Sequence, residues 1–168
     1  MNFDHAFEQL IGHEGGFQAD PKDRGNWTGG RYGVGVLKGT KFGISAMSYP
    51  GEDIEHMTVE RAKSIYARDF WAQGGCEVVP DVLKFDLFDA AVNSGPKQAL
   101  KFVQRAVGEI DDGVLGPRTM MAIGAMDAGR LFARFNGWRL DFLNDNPDQF
   151  ANFGRGWTQR IAENLKAA

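Results

Sequence analysis

From Thr58 onward the apolar residues keep returning at helical spacing, and that periodicity constrains the fold more than any other feature of the chain. Val59, Ala62, Tyr66 and Phe70 form one face, with Thr58 placed as an N-cap and Gly74-Gly75 as the stop. Pro80 and Asp81 open a strongly apolar helix that runs to about Val92. Ser94-Gly95-Pro96 is a stop and restart, because proline fits the first turn of a helix, where its missing N–H costs nothing. Ala99, Leu100, Val103 and Val107 carry the next helix, ended by Gly108. Asp111-Asp112-Gly113 and Gly116-Pro117 turn the chain into a short helix over roughly residues 117 to 126. Leu131, Phe135, Trp138 and Phe142 stripe one more helix, and Phe150, Phe153, Trp157, Ile161 and Leu165 the last, with Asn146-Pro147 between them.

The beginning of the chain reads differently. Phe3, Phe7, Leu10 and Ile11 predict an amphipathic helix over residues 2 to 13. Glu14 lies four residues beyond Leu10 and seven beyond Phe7, on the same face, and Gly15-Gly16 supplies a left-handed stop. Residues 17 to 50 follow neither period and are rich in glycine, with β-leaning pieces at Tyr32 to Leu37 and Lys41 to Ile44. This is a long loop holding a small hairpin or two. The expected fold is mainly α, about seven helices with a small β-hairpin lobe and a cleft between. With no internal repeat and no linker, residues 1–168 read as one domain, its first half at 1–75 and its helical half at 80–168.

Composition excludes several functions. A net charge of −3, with no stripe of lysine and arginine, argues against nucleic acid. No apolar run approaches the roughly 20 residues that cross a bilayer, and the N-terminus lacks a basic, then apolar, leader. The single cysteine, Cys76, excludes an internal disulfide and suits assembly in a reducing cytoplasm; it reads as a small packing residue. His5, His13 and His56 lack the HExxH spacing, so no metal site is expected. Gly33-Val34-Gly35 is too slight a pattern for phosphate, and Asp111-Asp112-Gly113 lacks the other ligands of a calcium loop.

Glu14 is the residue whose chemistry stands out. A carboxylate at a helix C-terminus faces the negative end of the macrodipole, and an apolar face adds desolvation. Both favour the protonated form that a general acid needs near neutral pH. Asp20 and Asp23 follow at six and nine residues. Paired carboxylates flanking a glycosidic bond are the usual equipment of glycoside hydrolysis. The same aspartates also suit turns with side-chain caps. Thr28 and Thr40 could position a water or could be ordinary β residues.

The run HEGGF, then ADPKD with a following glycine, then GTKFGIS, resembles the signature of the glycoside hydrolase family 108 lysozymes. The matching positions are Glu14, Gly15, Gly16, Phe17, Asp20, Pro21, Asp23, Gly25, Thr40, Gly43, Ile44 and Ser45. Phe88 to Gly95, Gln104, Asp112-Gly113, Gly116-Pro117 and Thr119 resemble the peptidoglycan-binding segment that accompanies that family. The resemblance implies a lysozyme-like fold and N-acetylmuramidase activity on peptidoglycan glycan strands, with no cofactor. It implies Glu14 as acid, with Asp23 and Thr40 as its helpers. Asp23 is preferred over Asp20 for its spacing, and Thr40 over Thr28 because it carries the downstream Gly-Ile-Ser. The residues GNWTGGRYGVGVLKG are an insertion relative to shorter members, which leaves both choices open.

For substrate contacts, Asn93 shares a helix face with Asp89 and could offer its amide to an N-acetyl group. Trp27 and Tyr32, in the glycine-rich insertion, could stack on sugar rings; Trp71 suits stacking and core packing equally, and Tyr66 suits the core better. Family members are often phage or prophage endolysins, so a bacteriolytic monomer is expected, made in the cytoplasm and reaching the wall through a holin or host lysis. A lytic transglycosylase using the same glutamate is the alternative enzyme, and a non-catalytic peptidoglycan-binding or secretion-related protein the alternative of another class.

Overall fold

The apolar stripe of the first segment forms helix α1 at Phe3–Ile11. It ends earlier than the periodicity predicts, because Gly12 takes the left-handed conformation at φ 55° while its N–H still bonds Glu8 O. A left-handed stop at Gly12 pre-empts the one expected at Gly15-Gly16, and Gly16 itself has no such φ. In this computed structural model the described residues are 1–12, 16–145 and 147–167, with side chains in the last stretch at 154–156 and 158–166. The expectation that Glu14 sits on the apolar face of α1 therefore falls outside the described residues, as does the stop at Gly15. So do Asn146 and the side chains of Phe150, Phe153 and Trp157.

Two compact units make up the chain: Phe7–Ala67, and Met1–Ala6 together with Arg68–Ala168.

In the unit Phe7–Ala67, the glycine-rich stretch builds a short hairpin, β1 at Thr40–Lys41 paired antiparallel with β2 at Ile44–Ser45. The two-residue turn between them has positive φ at both positions, Phe42 at 49° and Gly43 at 75°, the geometry whose twist matches a tight hairpin. A side chain at Gly43 would collide with the Tyr66 hydroxyl, which donates to Phe42 O at 3.1 Å and holds the turn. Tyr32 to Leu37 forms no strand. It is a turn-rich excursion closed by a bridge between Trp27 and Leu37 and by Thr28 N donating to Val36 O at 3.0 Å. Helix α2, Val59–Tyr66, starts where expected: the Thr58 hydroxyl accepts from Arg61 N. It runs on as a π-helical segment, Ala67–Ala72.

The other unit is helical. Helices α3 (Asp81–Ser94), α4 (Pro96–Val107), α5 (Pro117–Ala125), α6 (Ala128–Asn144) and α7 (Pro147–Ala167) follow one another with short connections. Gly95, at φ 86°, joins α3 to α4, and proline opens α4 as predicted. Helix α3 is buried nearly all round, through Leu83, Leu87, Phe88, Ala90 and Ala91, and packs against α4 and α6. Phe102 of α4 meets Phe135 and Phe142 of α6 edge-on, at centroid distances of 6.1 and 5.3 Å. The mainly α fold with a small hairpin lobe is as the sequence led us to expect.

Candidate active site

The glycine-rich segment is organised by one side chain, Asn26, which is fully buried. Asp23 begins a single 3-10 turn, Arg24–Asn26, with its Oδ1 accepting from Gly25 N at 2.8 Å. That turn carries Asn26 inward. Its Nδ2 donates to Gln18 Oε1 at 2.8 Å and to Asp20 O at 3.0 Å. Its Oδ1 accepts from the Thr40 hydroxyl at 2.7 Å and from Gln18 Nε2 at 3.1 Å. Its backbone oxygen also accepts from Lys38 N and Gly39 N. A buried amide with all four of its side-chain bonds made is a rigid pin.

Gln18 and Thr40 are also paired through the backbone, Thr40 N to Gln18 O at 2.8 Å and Gln18 N to Thr40 O at 3.0 Å. Gly39, at φ 84°, allows this approach; any Cβ there would strike Gln18 O and the Phe17 ring. The Gln18 amide then reaches Asp23 Oδ2 at 3.4 Å. Asp23 and Thr40, the two residues expected to assist, therefore belong to one hydrogen-bonded array through Gln18 and Asn26.

The array distinguishes the competing residues. The Asp20 carboxylate caps its own turn, with Oδ1 accepting from Lys22 N at 2.8 Å, and only its backbone joins the array. Asp23 also caps a turn, yet it is exposed and its Oδ2 meets the array. The Thr28 hydroxyl is committed elsewhere: it accepts from Val36 N at 2.9 Å and closes the 28–36 excursion. Thr40 has spent its hydrogen on Asn26, so its oxygen is left as an acceptor.

The remaining expectations divide. Tyr32 is 66% exposed, as a contact residue must be. Trp27 is part-exposed, and its indole N–H is tied to Pro21 O at 3.0 Å, so it anchors the aspartate turn. Trp71 is a core residue and not a sugar platform: it is 6% exposed, flanked edge-on by Phe3 and Phe88, with its N–H on Glu77 Oε2 at 2.8 Å. Tyr66 is likewise buried. Asn93 is exposed, but its Nδ2 is spent within its own helix, on Asp89 O and Asp89 Oδ1 at 2.7 and 3.0 Å. Only its Oδ1 remains to offer a ligand.

Asp89 shows a feature that sequence reading missed. It is fully buried and held by two arginines, Arg139 Nη2 at 2.7 Å and Arg160 Nη1 at 2.8 Å. Asp86, also buried, lies 3.5 Å from Arg139, and burial pushes its carboxyl above the usual range despite that charge. The signal was available in the sequence. Arg139 falls on the stripe Leu131, Phe135, Leu143 at helical spacing, and an arginine in such a stripe needs a buried acid. Gln18 and Asn26 had no comparable signal, since no period runs through the loop. Among the described residues no cluster of His, Cys, Asp and Glu could hold a metal ion.

The model of the family described as Glycosyl hydrolase 108 matches residues 7–95, which is 89 of the 168 residues. The chain belongs to that family. The match covers the whole array, Gln18, Asp23, Asn26 and Thr40, together with Glu14. The chain is also similar to a solved structure of SagA from Brucella abortus, with 28% identity and a TM-score of 0.80, over 98% of this chain and 92% of that one. No curated protein matches it. This family 108 member is a lysozyme-like glycoside hydrolase acting on peptidoglycan. Among the described residues no helix is long and apolar enough to cross a membrane.

Proposed function

We propose that the protein is an N-acetylmuramidase that hydrolyses the β-1,4 bond between N-acetylmuramic acid and N-acetylglucosamine, with Glu14 as general acid. Glu14 protonates the glycosidic oxygen as the bond to the anomeric carbon breaks, and water adds to that carbon while giving up a proton to a carboxylate, Asp23 or the newly ionised Glu14. The observation that carries the reading is the array joining Asp23 to Thr40 through Gln18 and Asn26. A water between Asp23 and Thr40 would find acceptors on both sides, because the Thr40 hydrogen is already committed. Its hydrogens would point to those acceptors and its lone pair away from them, toward an electrophile. Asp23 is the better assistant than Asp20 on the same ground, since only its carboxylate joins the array.

The substitution Glu14→Gln tests this. It removes the transferable proton while keeping the size, so clearing of isolated cell walls should stop, a loss of at least about 100-fold for a general acid. Wall binding should survive. Unchanged clearing by that variant would overturn the assignment, and 1,6-anhydro ends among the products would replace hydrolysis with transglycosylation. We further propose that the protein acts as a monomer of the endolysin type, made in the cytoplasm and released to the wall through a holin or host lysis.

A further inference from the structure

Among the described residues Phe42 is the one residue other than glycine whose φ is positive, at 49°. That region crowds Cβ against the backbone, so an aromatic residue is held there under strain. The turn itself does not require it, because two positions of positive φ are satisfied best by Asn-Gly. The strained residue is nevertheless fixed from both sides. Tyr66, 3% exposed, donates its hydroxyl to Phe42 O at 3.1 Å and is itself braced edge-on by Phe7 at 5.5 Å. Lys41 Nζ donates to Glu55 O at 2.8 Å and lies 5.5 Å from the centre of the Phe42 ring. Backbone strain that the surroundings hold in place is a pointer to function.

Packing does not account for the ring. Phe42 is half-buried and outside the core, and among the described residues no other aromatic ring meets it. Instead it lines an open groove of about 1100 Å³, together with Phe7 and with Val59, which is 45% exposed. Gly12, just past the end of α1, and Gly16 line the same groove, so part of its wall is bare backbone. Apolar walls with room for a flat face suit a pyranose ring. Glu8 is the charged side chain among the described lining residues, and it is exposed. A carboxylate there accepts a sugar hydroxyl and repels another carboxylate.

We propose that Phe42 is a substrate-contact residue, its ring held by the strained turn as a platform for an uncharged N-acetylated sugar of the glycan. The inference rests on the muramidase reading above. The C–H face of the pyranose stacks on the Phe42 ring, the acetyl methyl meets Val59, and Glu8 accepts a hydroxyl. N-acetylmuramic acid carries a carboxylate, which Glu8 disfavours, so the groove selects N-acetylglucosamine and thereby sets the register of the strand. A ring fixed before the sugar arrives gives up little freedom on binding, which is what the strain secures.

The test is calorimetric titration of the full chain carrying Glu14→Gln, so that nothing is consumed, with chitotetraose as the neutral probe. Chitotetraose should bind, and its carboxymethylated form should bind about tenfold more weakly. Phe42→Tyr keeps the ring and should bind within about threefold, whereas Phe42→Asn removes it and should weaken binding about tenfold. Phe42→Asn should at the same time hold or raise Tm, because it relieves the turn; a packing role would give the opposite. In the Glu14 background it should raise KM on soluble glycan strands about tenfold and leave kcat within about threefold. Failure of chitotetraose to bind, equal binding by Phe42→Asn or by the carboxymethylated probe, or loss of binding in Phe42→Tyr would overturn the proposal. So would a fall in Tm of more than about 5 °C in Phe42→Asn, which would make the ring a packing residue. Failure of the Glu14 assignment would appear differently, as wall clearing by Glu14→Gln with chitotetraose binding intact.

Discussion

Truncating Asn26 to alanine should loosen the hairpin lobe and slow the enzyme together. The side chain makes four hydrogen bonds from a fully buried position. At about 1 kcal/mol each, their sum is an upper bound of about 4 kcal/mol. Gln18 is exposed, so its two bonds to Asn26 can be replaced largely by water. Of the other two partners, Asp20 is exposed as well and Thr40 is half-buried, so the Thr40 hydroxyl is the one that water replaces least. A net loss of about 2–3 kcal/mol follows, which for a chain of this size lowers Tm by roughly 5–10 °C. Urea unfolding followed by circular dichroism measures the loss. Wall clearing should fall as well, because the Thr40 hydrogen is freed and its oxygen is no longer kept as an acceptor. Asn26→Asp should fare worse, since it loses both Nδ2 donors and buries a charge near Asp23. A loss below about 0.5 kcal/mol in Asn26→Ala, with normal clearing, would show that the array neither holds the lobe nor positions Asp23 and Thr40.

The buried ion cluster makes a second prediction. Arg139→Met leaves Asp89 with Arg160 alone and Asp86 with no arginine, and should cost about 3 kcal/mol near neutral pH. The sign with pH follows from Asp86, whose folded-state carboxyl is already raised by burial. A raised carboxyl adds stability below its unfolded value of about 3.9, and that contribution is lost as pH rises through the folded value. Removing Arg139 raises Asp86 further, so the penalty should shrink on acidification toward pH ~4; urea melts of variant and parent at pH 4.5 and 7.5 check it, and a penalty that grows in acid refutes it. Third, burial, helped by the charge of Glu77, pushes the Cys76 thiol up to about 12. Native protein should resist iodoacetamide at pH 8 and become alkylated only in denaturant, as read by mass spectrometry; rapid native labelling would contradict its burial.

What the sequence determined by itself was set by local rules. The helices α2 to α6 were legible because their stop and start signals, Thr58, Ser94-Gly95-Pro96, Gly108 and Gly116-Pro117, act within a few residues of themselves. The ordered Glu-Gly-Gly, Asp-Pro and Thr-Gly-Ile motifs likewise marked the family before any coordinates. Tertiary structure decided everything that depends on which distant groups meet. Asn26 reads as an ordinary loop residue until Gln18 and Thr40 close around it, and only the fold shows that the Thr28 hydroxyl meets Val36 N while that of Thr40 meets Asn26. Trp71 stayed undecided in the sequence because an indole suits a cleft or a core equally well, and only its neighbours Phe3 and Phe88 assign it to the core. Asp89 and Arg139 are fifty positions apart and joined by a bond of 2.7 Å. No local period encodes such a pairing; burial makes it, because a charge taken from water must find its partner in the fold.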